Sequence, residues 1–144
     1  MKGLYFDSAY VAKCYLEEPD SDRVRKTVQT AEIIYCSALC IAEISCTLHR
    51  AVREKIITRH HASYLRQAFW EDLSLGIVQL IPLSENILRV VEAVVARLPP
   101  AIFLRSGDAV HLASAQTEGF PEIWTNDRHM LRAAPHFEMV GRSV

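Results

Sequence analysis

The opening stretch Lys2-Gly3-Leu4-Tyr5-Phe6-Asp7-Ser8-Ala9-Tyr10-Val11-Ala12-Lys13-Cys14-Tyr15-Leu16 sets the terms for the rest of the chain. Lys2 to Phe6 is an apolar run that stops abruptly at Asp7, the pattern of a short buried strand ending in a polar residue at its carboxyl end. The spacing of Val11, Ala12, Tyr15 and Leu16 then predicts a helix, capped by Ser8 and broken at Glu17-Glu18-Pro19-Asp20. A strand followed at once by a helix is the first half of a crossover unit.

The same unit recurs outward from this segment. Ser21 to Thr30 reads as a polar helix, Ile33 to Cys36 as a second buried strand, and Ala38 to Lys55 as a helix with Leu39, Ile41, Ile44, Leu48 and Val52 on its apolar face. Thr58 caps a further helix through Leu75, with Gly76 as its stop, and Ile77 to Ile81 is strand three. Ser84 begins a helix that closes at Pro99-Pro100. Ser106-Gly107-Asp108 leads into a helix over Ala109 to Thr117, ended by Gly119. Glu122 to Thr125 is strand four, Asp127 to Arg132 a short helix, and Phe137 to Val140 a final strand. Short strands alternating with helices predict a parallel sheet, because parallel neighbours need crossover connections. The fold class is therefore α/β, a three-layer sandwich with a short central parallel sheet of about five strands flanked by helices. At 144 residues, 1–144 is read as a single domain, without repeat or linker.

Composition narrows the function classes. Half the residues are hydrophobic and 23% are charged, the balance of an ordinary globular protein. No apolar run is long enough for a signal peptide or membrane span, so a cytoplasmic location with no membrane role is expected. Cys14, Cys36, Cys40 and Cys46 show neither a CxxC pair nor a disulfide framework and are read as reduced thiols. A zinc site from Cys40, Cys46 and His49 is the alternative, and it lacks a fourth ligand. Net charge is −1, but if four of the 17 acids form one cluster, thirteen are left against 16 Lys and Arg, a mildly basic remainder suited to phosphates.

Four acids fall where an open parallel sheet binds ligands, beyond the carboxyl ends of its strands. Asp7 follows strand one and Asp127 closely follows strand four; Glu43 lies one turn into the helix after strand two, and Asp108 opens the helix before strand four. Four carboxylates at one edge raise one another's pKa values unless a cation neutralises them. Oxygen donors select hard ions, Mg²⁺ first and Mn²⁺ as a natural substitute.

The segments Leu4-Tyr5-Phe6-Asp7-Ser8-Ala9, Ala42-Glu43-Ile44, Gly107-Asp108-Ala109-Val110-His111-Leu112-Ala113-Ser114-Ala115 and Thr125-Asn126-Asp127-Arg128 resemble, in order, the successive motifs of the PIN-domain family, in particular its VapC-type toxin ribonucleases from type II toxin-antitoxin systems. The resemblance implies a metal-dependent endoribonuclease that hydrolyses RNA to a 5′ phosphate and a 3′ hydroxyl. It implies Asp7 and Asp108 as principal metal ligands, Glu43 and Asp127 ligating through water or completing the pocket, and Ser8 and Thr125 as supporting hydroxyls. It also implies an RNA substrate, a cognate antitoxin and a homodimer. The resemblance also implies that the tail of a smaller antitoxin covers the acidic crevice, and Val11, Cys14 and Tyr15 on the first helix, beside Asp7, are the exposed-face candidates expected to meet it.

Other residues compete for roles. His111, one turn after Asp108, is read as a neutral histidine fixed by hydrogen bonds in a packed helix rather than as a base or ligand. His60, His61 and His129 are expected to face solvent. Arg105 and Arg128, beside the acids, are the favoured phosphate contacts; Arg50, Arg53 and Arg132 are more at home on a solvated face, and Lys13 is the weaker candidate. Of Phe69 and Trp70, at most one can face the core fully, and either suits a subunit contact. A haloacid-dehalogenase-like phosphatase would need a second Asp where Ala9 stands, and a receiver domain would need adjacent acids and a late Lys that are missing. A catalytically silent PIN-fold module that only binds RNA or protein is the alternative function.

Overall fold

The computed structural model describes residues 3–144. Five strands, β1 (Gly3–Tyr5), β2 (Ile33–Ser37), β3 (Val78–Ile81), β4 (Glu122–Trp124) and β5 (Val140–Arg142), alternate with seven helices, α1 (Ser8–Lys13), α2 (Ser21–Val28), α3 (Cys40–Arg53), α4 (Arg59–Ser74), α5 (Glu85–Val95), α6 (Ser106–Thr117) and α7 (Arg128–Ala133). β1, β2 and β3 pair in parallel, as do β4 and β5. A parallel bridge between Phe6 and Trp124, with the Asp7 amide donating to the Trp124 carbonyl at 3.1 Å, joins the two pieces in the order β3-β2-β1-β4-β5.

The pleat divides the core. Phe6, Ile34 and Cys36 point to one face and pack with Val11, Ile44, Leu48 and Phe69 from α1, α3 and α4. Tyr5 points to the other and packs with Ile87, Leu112, Met130 and Phe137 from α5, α6, α7 and a 3₁₀ turn at Ala134–Phe137. Helices thus cover both faces of a parallel sheet, which is the expected three-layer α/β sandwich.

Helix boundaries follow local chemistry. Thr58 and Ser84 accept the amides of His61 and Ile87 as N-caps of α4 and α5. Gly76 and Gly119, at φ of 75° and 78°, end α4 and α6 in a conformation that side chains with a Cβ resist. Three expected details differ. The first cap is Asp7, whose Oδ1 accepts the Tyr10 amide, so Ser8 is the first helical residue and its hydroxyl is free for other partners. α1 also ends at Lys13 rather than Leu16. The last strand is Val140–Arg142, because Phe137 is drawn into the 3₁₀ turn and Glu138 adopts a left-handed φ of 59° that reverses the chain. The expected start of strand one at Lys2 lies outside the described residues.

The exposed face expected on α1 is not there: Val11 is 1% exposed, and Cys14 and Tyr15 are half-buried against the first core, with the Tyr15 hydroxyl donating to Asp72 at 2.6 Å. Phe69 takes the core position and Trp70 is 50% exposed. Among the described residues all four cysteines are free, Cys36 and Cys40 buried, Cys14 half-buried and Cys46 exposed.

Candidate active site

Each of the four acids is delivered to the carboxyl edge of the sheet by a different crossover. Asp7 ends β1 and caps α1; Glu43 and Asp108 sit in the first turns of α3 and α6; Asp127 follows β4 and caps α7, its Oδ1 accepting the amides of His129 and Met130 at 2.8 and 3.1 Å. All four line one cleft of about 340 Å³, together with Ser8, Arg105, His111 and Asn126.

Asp7 is buried, and that burial, with Asp108 nearby, pushes its carboxyl above the usual range, although hydrogen bonding from Thr125 and from the Tyr10 amide works the other way. Burial and then Asp127 raise Asp108, against the pull of Arg105. Glu43 goes in the opposite direction: burial would raise it, but its hydrogen bonds with His111 at 2.6 Å and Ser8 at 2.9 Å hold it below the ordinary value. Two acids are therefore short of positive charge and one is already stabilised as an anion.

Arg105 partly answers that shortage. Its Nε donates to Asp108 Oδ2 and a terminal nitrogen donates to Asp127 Oδ2, both at 3.2 Å, while the side chain is 64% exposed. Among the described residues no three His, Cys, Asp or Glu side chains are drawn together tightly enough to hold an ion as they stand. Arg105 spans two of the acids and Glu43 is turned onto His111. The donors nonetheless fit a hard divalent cation: carboxylate oxygens from four segments, two of them raised in pKa by burial first and by a neighbouring acid second, with an exposed, displaceable guanidinium as their counter-charge.

The supporting residues fall into place unevenly. Ser8 reaches Glu43, as above. Thr125 is fully buried, and its hydroxyl accepts the Asp127 amide at 3.0 Å, which fixes the turn that presents that acid. Arg128 is exposed at the start of α7 and does not line the cleft. Arg50 pairs with Glu54, and Lys13, though at the cleft wall, is held by Glu18 and, at 3.0 Å, by Asp20. His60 and His61 are exposed, whereas His129 is half-buried with its ring 4.7 Å from that of Phe103.

His111 is buried and hydrogen-bonded, as read from the sequence, but its partners are the cleft residues Glu43 and Ser8. The spacing carried the signal: three residues after Asp108 on one helix puts His111 on the same side, a turn deeper. Asn126, quoted only as part of a motif, accepts a hydrogen bond from the Tyr10 hydroxyl at 2.6 Å and donates to Asp20, which ties the Asp127 loop to the α1–α2 corner.

The model of the PIN domain family matches residues 4–135. Among solved structures, the chain is similar to one in VapBC2 from Rickettsia felis bound to a DNA fragment from their promoter, at TM-score 0.71 and 13% identity over 99% of this chain and 98% of that one. It is similar to one in FitAB bound to an IR36 DNA fragment, at TM-score 0.70 and 13% identity over 97% and 94%. A third likeness is to FitAcB from Neisseria gonorrhoeae, at TM-score 0.67 and 14% identity over 96% and 95%. No curated protein is matched by sequence. With nearly its whole length matched by the family model, and with the parallel five-strand order and acid-lined cleft in place, this chain belongs to the PIN-domain family.

Proposed function

We propose that the chain is a metal-dependent endoribonuclease, the toxin of a toxin-antitoxin pair. The observation that carries this reading is the convergence of Asp7, Glu43, Asp108 and Asp127 on one cleft at the carboxyl edge of the sheet. Asp7 and Asp108 are the principal ligands for Mg²⁺ or Mn²⁺, with Glu43 and Asp127 completing the set. When bound, such an ion neutralises phosphate charge and makes water nucleophilic at neutral pH.

The chain's own residues do the rest. Asp7 is held in place by the Tyr10 amide and cannot turn away from the cleft without uncapping α1. Ser8 spends its proton on Glu43 and acts as an orienting group rather than a nucleophile. Arg105, exposed at the rim, releases Asp108 and Asp127 and takes an RNA phosphate; Arg128 is the second phosphate contact, on the same edge. Single-stranded or looped RNA suits an open cleft better than a duplex.

The VapBC2 and FitAB likenesses support a partner protein, here a small antitoxin, and a homodimer belongs to the same reading. An apolar groove of about 450 Å³ lined by Val91, Val95, Leu104 and Arg105 gives a partner chain a way to the cleft. Among the described residues no helix is long and apolar enough to cross a membrane; cytoplasmic action is part of the proposal.

Incubating purified protein with structured RNAs, with Mg²⁺ or with EDTA, tests the reading. Products with 5′ phosphates are expected only with metal. Cleavage that survives EDTA would refute the metal requirement, and RNA binding without cleavage in either arm would favour the silent binding module.

A further inference from the structure

The nuclease reading leaves unexplained why a histidine is buried behind one of its four acids. His111 is 1% exposed, and its two ring nitrogens have different neighbours: Nδ1 is 2.9 Å from the Tyr5 hydroxyl, and Nε2 is 2.6 Å from Glu43 Oε1. The Ser37 backbone amide can only donate, and it donates to the Tyr5 oxygen at 3.1 Å. That leaves the Tyr5 hydroxyl proton free to point at Nδ1, an arrangement in which the ring proton sits on Nε2, facing Glu43. The other end of the ring demands the same tautomer, because a bare Nε2 lone pair 2.6 Å from a carboxylate oxygen would be repelled.

Ser8 donates to that same Oε1, so one oxygen of Glu43 is tied twice. The other, Oε2, has no hydrogen-bond partner among the described residues and lies beside Gly107, where a Cβ would stand 3.5 Å from it, next to Asp108. Tyr5, Ser37 and His111 are all buried, so this chain of donors is shielded from competing water.

We propose that His111 is a positioning residue: through the Ser37–Tyr5–His111 relay it pins Glu43 by Oε1 and leaves Oε2 presented to the cation beside Asp108. The role rests on the metal-nuclease reading, but the relay itself does not. Glutamate is long and flexible, and a hydrogen bond from a fixed imidazole removes the freedom that would otherwise be lost on binding.

Two measurements test it. ¹⁵N NMR of histidine-labelled, metal-free wild type is expected to show His111 as the Nε2–H tautomer, with His111→Gln providing the assignment; an Nδ1–H tautomer would overturn the relay whatever the protein does. Mn²⁺ affinity by electron paramagnetic resonance is expected to weaken roughly 10–100-fold in His111→Leu, the usual scale for an outer-shell partner. His111→Gln, which keeps an N–H where Nε2 stands, should recover most of it. A folded His111→Leu with wild-type affinity, or a Gln variant as weak as Leu, would overturn the positioning role alone. Wild type that binds no Mn²⁺ would overturn the metal reading and this role with it.

Discussion

Replacing Asp7 by Asn separates stability from function, and the structure fixes both signs. Asn keeps an oxygen for the Tyr10 amide, and Asn and Asp are about equal as N-caps, so α1 loses nothing. What disappears is a buried negative charge whose pKa is raised chiefly by burial and also by Asp108. Because burial holds the folded-state pKa above the ordinary carboxylate value, ionised Asp7 opposes folding at neutral pH. Metal-free Asp7→Asn should therefore melt at the wild-type temperature or above it. Metal reverses the ranking. An ion at a hundred times its dissociation constant stabilises the folded state by about 2.7 kcal/mol. With an unfolding entropy of roughly 2.1 cal/mol/K per residue over 144 residues, that is a rise of about 9 °C for wild type. The variant should keep little of it. Melts of both proteins, with EDTA and with Mg²⁺, are the assay. A variant that keeps the full metal-induced rise would show that Asp7 is no ligand, and one strongly destabilised in EDTA would show a structural acid.

Four further outcomes are expected. Acidifying the metal-free protein from neutral pH should first stabilise it as Asp7 and Asp108 take up protons above the ordinary aspartate range, a gain absent from the Asp7→Asn, Asp108→Asn double variant in urea titrations. Glu43 has the opposite sign: its stabilisation is present above the ordinary glutamate pKa and is lost as pH falls through its lower folded pKa, so Glu43→Gln should flatten the steep acid limb. Arg105→Ala removes the guanidinium that competes for Asp108 and Asp127, and should lower the Mg²⁺ concentration for half-maximal cleavage roughly two- to fivefold, the scale of an exposed ion pair, while raising KM for RNA. In denaturant melts Phe69→Ala should cost about 3–5 kcal/mol and Trp70→Ala within about 0.5 kcal/mol, since one ring is buried and the other half-exposed.

The alternation of apolar runs and helical spacing was enough to read the layers and strand directions, because crossover geometry leaves a parallel sheet few alternatives. Asp7 and Asp127 could be placed from sequence because a strand end is a fixed point. What failed depended on contacts between distant segments. Val11 has helical spacing compatible with either face of α1, and only the packing of α1 against α3 and β2 decides that it is buried. The capping proton acceptor could be Asp7 or Ser8 on local chemistry; the pull of Glu43 and His111 on Ser8, 35 and 103 residues away, assigns the cap to Asp7. The last strand slipped toward the C-terminus because a left-handed residue at Glu138 has no strong signature in a non-glycine. Arg105 was legible as a neighbour of Asp108, but not as the cation that also reaches Asp127, 22 residues on.

The central claim is that the four-acid cleft, and nothing else on the chain, cuts RNA. Purified wild type and Asp108→Asn, each confirmed folded by its melt, should be compared on one looped RNA in the same Mg²⁺ buffer, with the fraction cut followed in time. Cleavage by wild type and its loss by at least about a hundredfold in Asp108→Asn is the predicted result. Equal rates from the two proteins would contradict the claim and place the activity elsewhere.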